Sequence, residues 1–562
     1  MKRKFMCLLL AAVMAISCFA AFGCAPKEDE TVEGGTAEDT ALGTVTLTLW
    51  IPTYEDTTEE AILAVQEALN KVTKARYETA IELHAIPYEE YEAAVDERLT
   101  AIEEIKAFEE AEAERKRKEA KEAAKKAKEE GVTTAPETTA EPEETTAFED
   151  TYVNDIGMTV LRYPEVEEDQ MDIFFVGGLE NYKSYIEREA LLALDSELSG
   201  SSKLLKQYIY PTFLSYAKVN GSTYAIPNNH VIGEYKYLLI NKRLVEELYW
   251  DIDDLTTLIR CEDFILDVKN FTDVTPLLAE SDAIGMNYWS ADGEWSLLAT
   301  QLPNGVLYET YCPPRNLFMV KNYTDTVKLM KLLRESDCIA EDPSKVEEFG
   351  VAVLSGDATL PEQYEDEYYV SIYESPTATT EDVYGSMFGV SAYTKSLSRS
   401  MEILVALNTD TELRTILQYG AEGTHWKVNE EDETVIDILS DDYKMNLLHT
   451  GNVYMTYPGE GIPMSHWDYA KKQNLDSKES PFIGFRHEDY YTEENAADFE
   501  ELAAVSAEFL ARIEAMTYEE FKDSVSDLRS EINELEIVVK MLDEESETSP
   551  VSLYDDFHNT KT

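Results

Sequence analysis

Basic residues and cysteines are scarce in this sequence, and each shortage excludes a class of function. The 562 residues include 48 Lys and Arg against 112 Asp and Glu, for a formal net charge of −64. Such a charge repels nucleic acid and anionic lipid, so both are poor partners. The six cysteines include no CxxC pair, which argues against a disulfide framework and a structural zinc site. For Cys261, Cys312 and Cys338 we expect three buried free thiols, with one disulfide as the alternative.

Enzyme motifs are also missing. The sequence contains no G-x-S-x-G, no H-E-x-x-H and no phosphate-binding glycine loop. We therefore expect no catalytic residue, no cofactor and no metal site. A surface glycosidase stays open as an alternative, because the distance between two catalytic carboxylates cannot be seen in a sequence. A surface adhesin is a further alternative, although no internal repeats support it.

Hydrophobic runs are short except at the N-terminus. The run over residues 6–22 follows three basic residues and precedes Gly23 and Cys24, the pattern of a secretory signal peptide. The cysteine at this point resembles the lipobox of bacterial lipoproteins. We predict a signal peptide over 1–23, acylation of Cys24 and a disordered tether over 24–43. Cys18 is a rival acylation site, an ordinary secretory signal is the simpler alternative, and a permanent transmembrane helix fits the short run less well.

Beyond the tether, strand and helix patterns alternate. Apolar alternation predicts strands at 45–50, 81–86, 171–176 and 237–240, with Pro52 ending the first. Thr57 and Glu60 form a capping box for a helix to about residue 73, and further helices begin at Tyr88 and Lys242. Asn220 and the glycine after it predict a hairpin turn. This order predicts an α/β sheet with crossover helices.

One segment breaks the pattern. Residues 101–130 are rich in Ala, Glu and Lys, with almost no large apolar side chain. Glu–Lys pairs four residues apart support an exposed helix, which Gly131 is placed to stop. The Thr/Pro/Glu-rich stretch that follows predicts disorder. We therefore predict an insertion over 108–149 that projects from the globular part.

Four stretches resemble the carbohydrate-type extracellular solute-binding proteins (family 1) of ABC importers. They are 47–50, 171–178 with 191–195, 220–227 with 238–242, and 419–426. The third matches the family pattern x-G-K-x-Y-G-I-P … Y-N-K, except that Ser222 replaces the usual lysine. The fourth, Tyr-Gly-Ala-Glu-Gly-Thr-His-Trp, is similar to a motif of Gram-positive sugar-binding lipoproteins.

The resemblance implies an α/β fold of the type II periplasmic-binding-protein class, with two lobes that close by a hinge. The first lobe would hold 44–232 and a return over 373–425. The second would hold 233–372 and 426–562, which ends in an acidic helical extension. Gly233, Glu234 and 373–376 would be hinge crossings.

The same resemblance implies a monomer, lipid-anchored on the extracellular face of the cytoplasmic membrane. It would capture a solute, most plausibly an oligosaccharide, and deliver it to the permease subunits of an ABC transporter. A peptide or another polar metabolite is the alternative solute.

Residues that contact the ligand should lie at strand ends and crossings, because open α/β sheets bind ligands there and sugars need aromatic faces and hydrogen-bonding groups. The candidates are Trp50, Tyr54, Gly177, Gly178, Asn228, Asn229, His230, Glu234, Trp289, Tyr373 and Trp426. Glu234 corresponds by the resemblance to a carboxylate that touches sugar hydroxyls in maltose-type relatives. The structural alternatives are core positions for the tryptophans, a plain turn for the glycines and a surface position for Glu234.

Overall fold

The computed structural model describes residues 43–129, 151–153, 159–279, 288–290, 298–301, 315–340, 342–480, 483–485, 495–543, 545–547 and 549–561. Several sequence predictions fall outside these residues. They concern the signal peptide, Cys18, Cys24, nearly all of the tether, Gly131, the second half of the insertion and Cys312.

Helices and strands alternate through the described part. The helices are α1 Glu59–Tyr77, α2 Tyr88–Glu129, α3 Leu179–Glu187, α4 Asp195–Ser199, α5 Leu205–Tyr208, α6 Pro211–Tyr216, α7 Lys242–Glu247, α8 Glu262–Phe271, α9 Lys321–Glu335, α10 Leu360–Tyr364, α11 Thr380–Tyr384, α12 Leu397–Thr409, α13 Thr411–Tyr419, α14 His466–Asp476, α15 Ala496–Ala515, α16 Tyr518–Glu534, α17 Glu536–Met541 and α18 Pro550–Lys561. The strands are β1 Val45–Thr53, β2 Thr79–Pro87, β3 Thr151–Val153, β4 Thr159–Leu161, β5 Ile173–Val176, β6 Lys218–Val219, β7 Ser222–Thr223, β8 Ala225–Pro227, β9 Tyr235–Asn241, β10 Thr275–Ala279, β11 Tyr288–Ser290, β12 Leu298–Gln301, β13 Arg315–Asn316, β14 Phe349–Gly356, β15 Tyr368–Glu374, β16 Thr377–Ala378, β17 Met387–Val390, β18 Trp426–Val428, β19 Ile436–Ile438 and β20 Lys478–Glu479.

The first sheet has the strand order β2-β1-β5-β17-β8. β1 is parallel to β2 and β5, whereas β17 is antiparallel to β5 and β8. β1 continues to Thr53, so the prediction that Pro52 ends it is wrong. β5 pairs with β1 only at Leu49 and Trp50, and a proline is tolerated where a strand has lost one neighbour.

Helix α1 covers one face of the first sheet. Ala61, Val65, Leu69 and Val72 are buried at helical spacing. The predicted capping box at Thr57 is wrong by one residue, because the Thr58 hydroxyl accepts the hydrogen bond from the Ala61 N–H at 3.2 Å. The Thr57 hydroxyl instead donates to the backbone carbonyl of a distant segment, at residue 444.

The second sheet has the strand order β10-β14-β9-β15. β14 is parallel to β10, and β9 is antiparallel to both β14 and β15. Cys261 and Cys338 lie in the core beside this sheet as free thiols, as predicted. The predicted hairpin turn is confirmed between β6 and β7, where Asn220 and Gly221 have φ of 52° and 83°.

Two chain segments cross between the two sheets, and a third segment, over residues 473–480, runs beside them. β8 of the first sheet leads through Gly233, at φ 45°, to β9 of the second sheet. The return passes from β15 through β16, which pairs in parallel with β20. Gln473 and Asn474 of α14 bind the first crossing through the backbone of Ile232, with the Asn474 side chain 2.9 Å from its N–H and the Gln473 side chain 3.0 Å from its carbonyl.

The C-terminal residues form a helical unit with α9. Phe318 and Tyr323 share a buried cluster with Phe509, Phe521 and Tyr554. The predicted acidic extension is therefore helical, and it packs on the chain around α9. By contrast, Tyr443 and Met445, which the sequence analysis assigned to the second lobe, are buried in the core of the first sheet.

Helix α2 has two unlike halves. Its first turns bury Tyr91, Val95, Leu99 and Ile102, whereas the side chains over 107–122 are exposed apart from the half-buried Glu112. The predicted exposed helix is thus confirmed over 107–122. Within it, the Lys116 ammonium lies 3.1 Å from the Glu112 carboxylate, four residues earlier. Within the described residues, no helix combines the length and apolar character needed to cross a membrane.

Candidate functional site

A cavity of about 390 Å³ lies at the carboxyl edge of the first sheet, and we call it the edge cavity. β1 and β5 end at this edge, and α2 and α3 begin there. Open α/β sheets bind ligands at such edges. The lining residues are Pro52, Tyr88, Glu89, Tyr91, Glu92, Phe175, Gly177, Gly178, Asn181, Tyr185, Glu381 and Gly385.

Buried aromatic rings form the floor of the edge cavity. Tyr91, Phe175 and Tyr185 are each at most 5% exposed. The Tyr91 hydroxyl lies 3.1 Å from the Trp50 carbonyl and 3.0 Å from the Phe175 carbonyl, so it joins the ends of β1 and β5. Burial raises the pKa of Tyr91 well above its usual value, and the floor stays neutral near pH 7.

An exposed ring and carboxylates form the rim. Tyr88 is 59% exposed, and burial of its hydroxyl followed by the charges of Glu381 and Glu92 raises its pKa. The Asn181 amide donates to Glu92 and, at 2.9 Å, to the Gly177 carbonyl. The rim therefore offers hydrogen-bond acceptors beside an aromatic face.

His449 supports this rim from below. Its ring stacks on Tyr88 at a centroid distance of 5.3 Å and lies 4.5 Å from the ring of Phe175. The residue is 5% exposed, and burial lowers its pKa to about 4. Its Nδ1 has no hydrogen-bond partner in the part of the chain that the structure describes. The imidazole is therefore neutral at pH 7 and adds no positive charge to the cavity.

Two sequence-predicted residues line the edge cavity, and a third lies beside it. A side chain at Gly177 would come within 2.9 Å of the Phe175 ring, whereas Gly178, at φ +87°, has open space where a side chain would stand. A ligand can thus approach the backbone here. Tyr54 is 49% exposed and close enough to Tyr88 to contribute to its raised pKa.

The two candidate tryptophans with described side chains lie in the core. The Trp50 ring stacks on His84 at 4.2 Å, and its Nε1 is buried without a partner among the described residues. Trp426 is 6% exposed, and its Nε1 donates to the Gly420 carbonyl at 2.8 Å. Both tryptophans therefore occupy core positions, which was the alternative to ligand binding. Their contact with a ligand stays a prediction, and their burial does not favour it.

The polar run after β8 is also buried and internally bonded. The Asn228 amide donates to the Ser386 hydroxyl at 2.9 Å and to a backbone carbonyl at residue 448 at 3.0 Å. Asn229 binds the backbone at Tyr208 and at residue 210. His230 lies 2.9 Å from the Asn228 carbonyl through Nδ1. These side chains hold α5 and the crossing segment in place.

The remaining candidates lie near the second sheet. Glu234 is exposed at the first crossing. Tyr373 is half-buried against the core of the second sheet, and desolvation raises its pKa to about 12. Trp289 lies in β11, and its side chain is outside what the structure describes. The contact of these residues with a ligand stays a prediction.

Sequence reasoning missed four rim residues. Tyr88 follows β2 directly, and Glu92 lies one turn later on α2. The expectation that ligands bind at strand ends, which selected Trp50, could therefore have found both. Asn181 lies in the first turn of α3, after the two predicted glycines. Glu381 lies on the five-residue helix α11, and no pattern in the neighbouring sequence marks it as a ligand-binding residue. Pairing of β17 with β5 brings this helix to the cavity.

A second cavity, of about 680 Å³, lies next to the β6–β7 hairpin, and we call it the hairpin cavity. Tyr216, Tyr384 and Glu479 line it together with Phe557 of α18. The C-terminal unit thus reaches the chain around the β6–β7 hairpin. No group of three or more His, Cys, Asp or Glu side chains in the described ranges is arranged to hold a metal ion.

Comparison with known proteins gives a fold and a class. No family model matches the chain. A carbohydrate ABC transporter substrate-binding protein from Streptococcus pneumoniae serotype 4 is 25% identical over 332 residues, which are 54% of this chain and 65% of that protein. The chain therefore matches slightly less than two thirds of that relative. The crystal structure of an N-glycan transport solute-binding protein (NgtS) from Streptococcus pneumoniae superposes with a TM-score of 0.53 at 16% identity, over 92% of this chain and 99% of that one.

These likenesses confirm the predicted resemblance to carbohydrate-type solute-binding proteins. The chain has the two-lobed α/β fold of that class. Its sequence relative is a substrate-binding protein of an ABC transporter.

Proposed function

We propose that this protein is the substrate-binding component of an ABC importer and that it captures an oligosaccharide outside the cell. The observation that carries the proposal is the edge cavity, where an aromatic floor meets open acceptor groups at the ligand-binding edge of the first sheet. The carbohydrate-binding class of the sequence relative supports the choice of solute.

The cavity suits a sugar for two physical reasons. The C–H face of a sugar ring can pack on Tyr88, which is 59% exposed and held by the stacked His449. Sugar hydroxyls can donate to Glu92 and Glu381, and hydrogen bonds to an ionised acceptor are the stronger kind. Because Asn181 already donates to Glu92, that carboxylate is oriented before the ligand arrives.

Capture would work by closure of two lobes. We assign one lobe to the first sheet, with 44–232 and 373–425, and the other to the second sheet, with 233–372 and the C-terminal part. Segment 443–445 joins the first lobe because of its burial there. Gly233, in the left-handed region, is a hinge residue. The ligand would favour the closed form by binding it more tightly than the open one.

The proposal includes acylation of Cys24 and retention on the extracellular face of the membrane, where permease subunits would receive the solute. The small residues before this cysteine support it. Cys24→Ser should move the protein from the membrane fraction to the soluble fraction. Retention of Cys24→Ser, together with release of Cys18→Ser, would place the mature start at the earlier cysteine.

A thermal-shift screen tests the solute class. The panel holds neutral oligosaccharides, peptides and amino acids, and a hit is verified by calorimetry. A ligand at one hundred times its dissociation constant adds about 2.7 kcal/mol of stability. We expect an oligosaccharide to raise the melting temperature and Tyr88→Ala to remove the rise. A peptide as the sole stabilising ligand contradicts the sugar assignment, and no stabilising ligand contradicts the binding function.

A further inference from the structure

We propose that the edge cavity selects neutral glycans and rejects glycans that carry a carboxylate, sulfate or phosphate group. This inference rests on the proposed function and names the substrate class of the same site. It follows from the sign and the placement of the charges around the cavity.

The charges that line the cavity have one sign. Its lining includes the carboxylates Glu89, Glu92 and Glu381, and among the described lining residues there is no lysine or arginine. Glu89 and Glu92 are three residues apart on α2, so they lie on one face of the helix. The charges of Glu381 and Glu92 both raise the pKa of the Tyr88 hydroxyl, so both carboxylates lie near it.

Two cations on neighbouring segments are already paired. Lys444 lies 2.7 Å from Asp56, in the loop after β1. Arg188, at the end of α3, lies 3.0 Å from Asp96 and bonds a second carboxylate on α2. An anionic sugar that enters the edge cavity would therefore have to compete with carboxylates of the protein for these two positive charges.

The partial positive charge at the N-terminus of α2 is also offset by a carboxylate of the same helix. A helix N-terminus attracts anions through its free N–H groups and its dipole. Glu89 lies in the first turn of this 42-residue helix. It places a negative charge of the protein where a ligand anion would otherwise gain attraction. The partial positive charge that many anion sites use is thus offset here.

The expected discrimination follows from Coulomb's law. Two like charges about 4 Å apart in water repel by about 1 kcal/mol, which is roughly fivefold in a dissociation constant. With three carboxylates on the cavity, we expect an anionic sugar to bind about tenfold or more weakly than a neutral one of the same shape. Because the groups are exposed to solvent, salt should reduce this ratio.

The test uses three forms of one ligand. They are the neutral glycan that binds tightest in the thermal screen, its derivative with one C6 alcohol oxidised to a carboxylate, and the carboxamide of that acid. The acid and the amide have nearly the same size, so their ratio reports charge alone. Calorimetry gives dissociation constants for the parent protein, for the variant with Glu89→Gln, Glu92→Gln and Glu381→Gln combined, and for Glu97→Gln.

Glu97→Gln is the matched control, since Glu97 is an exposed α2 carboxylate beyond the first turn that does not line the cavity. We expect the acid to bind about tenfold more weakly than the amide in the parent and in Glu97→Gln, and within about threefold of it in the triple variant. Equal binding of acid and amide by the parent overturns the inference, as does an unchanged ratio in the triple variant. If even the neutral glycan fails to bind the parent, the proposed function itself has failed.

Discussion

Two sets of polar residues lie at the same edge of the first sheet and differ in where their hydrogen bonds go. Asn228, Asn229 and His230 follow β8, are at most 8% exposed and bond to other parts of the chain. The second set consists of the rim residues Asn181, Glu92 and Glu381, of which Asn181 is half-buried and the two glutamates are exposed. Both sets have the residue types that a sugar site needs.

The difference shows that residue type alone does not separate a binding group from a structural one. A buried amide whose hydrogen bonds are made inside the protein stabilises the fold, and removing it leaves its partners unsatisfied. An exposed group costs little to remove and can still bind a ligand. Substitutions in the buried set should therefore lower stability, whereas substitutions in the exposed set should lower affinity for the ligand.

The largest effect on stability is expected for Trp426→Ala. The ring is 6% exposed and its Nε1 donates to the Gly420 carbonyl at 2.8 Å. Loss of a buried tryptophan costs about 3–5 kcal/mol, which chemical denaturation would measure as a lower free energy of unfolding. Affinity of the folded fraction should not change. A loss of affinity with stability preserved would instead assign Trp426 to the ligand.

His449 connects the two sets, because it is buried yet contacts Tyr88. Its pKa is about 4 in the folded protein and about 6.5 in an unfolded chain. Between these values the unfolded chain holds a proton that the folded one lacks, so stability falls as the pH falls from 6.5 to 4. We expect this group to account for about 2–3 kcal/mol of that loss.

His449→Phe keeps a ring against Tyr88 and removes the titration. Denaturation from pH 7 to pH 4 should show a flatter loss of stability for this variant than for the parent. His466→Gln, at a half-buried histidine on α14, is the control and should follow the parent. Parallel curves for the parent and His449→Phe would mean that His449 does not govern the acid response.

A pair of asparagine variants compares the two sets directly. Asn228→Ala should lower the free energy of unfolding by about 1–3 kcal/mol, because the Ser386 hydroxyl loses its buried donor and the carbonyl at residue 448 loses one of its two donors. Asn181→Ala, at the rim, should change stability by about 0.5 kcal/mol or less and weaken sugar binding. Equal stability losses for the two variants would contradict the division into two sets.

Tyr88→Ala should change affinity more than stability. The ring is 59% exposed, so its removal uncovers little core beyond His449. A sugar that packs on this face should bind about tenfold more weakly, the free-energy equivalent of about 1.4 kcal/mol. Tyr249→Ala is the control, because Tyr249 is 95% exposed and does not line the edge cavity. Unchanged affinity in Tyr88→Ala would remove this ring from the site.

The elements that the sequence predicted well are those set by local patterns. Alternation located β1, β5 and β9, and the Asn220–Gly221 pair located its hairpin. The burial of Trp50 and Asn228 could not be predicted, because it depends on partners far along the chain. Asn228 is covered by Ser386 and by residue 448, and Glu381 reaches the cavity only through the pairing of β17. A site assembled from distant segments leaves no local signal for each of its members.

The smallest effect is expected where a helix leaves the protein surface. Deletion of 108–149 with a short Gly/Ser bridge removes exposed side chains over 108–122 apart from the half-buried Glu112, with Phe108 72% exposed. Loop closure changes by only about 0.6 kcal/mol per doubling of length, so the melting temperature should shift by about 3 °C or less. A deletion that starts at residue 99 is the control. It also removes Leu99 and Ile102, both fully buried, and should destabilise by several kcal/mol. A fall of more than about 8 °C for the shorter deletion would show that the insertion packs on a lobe.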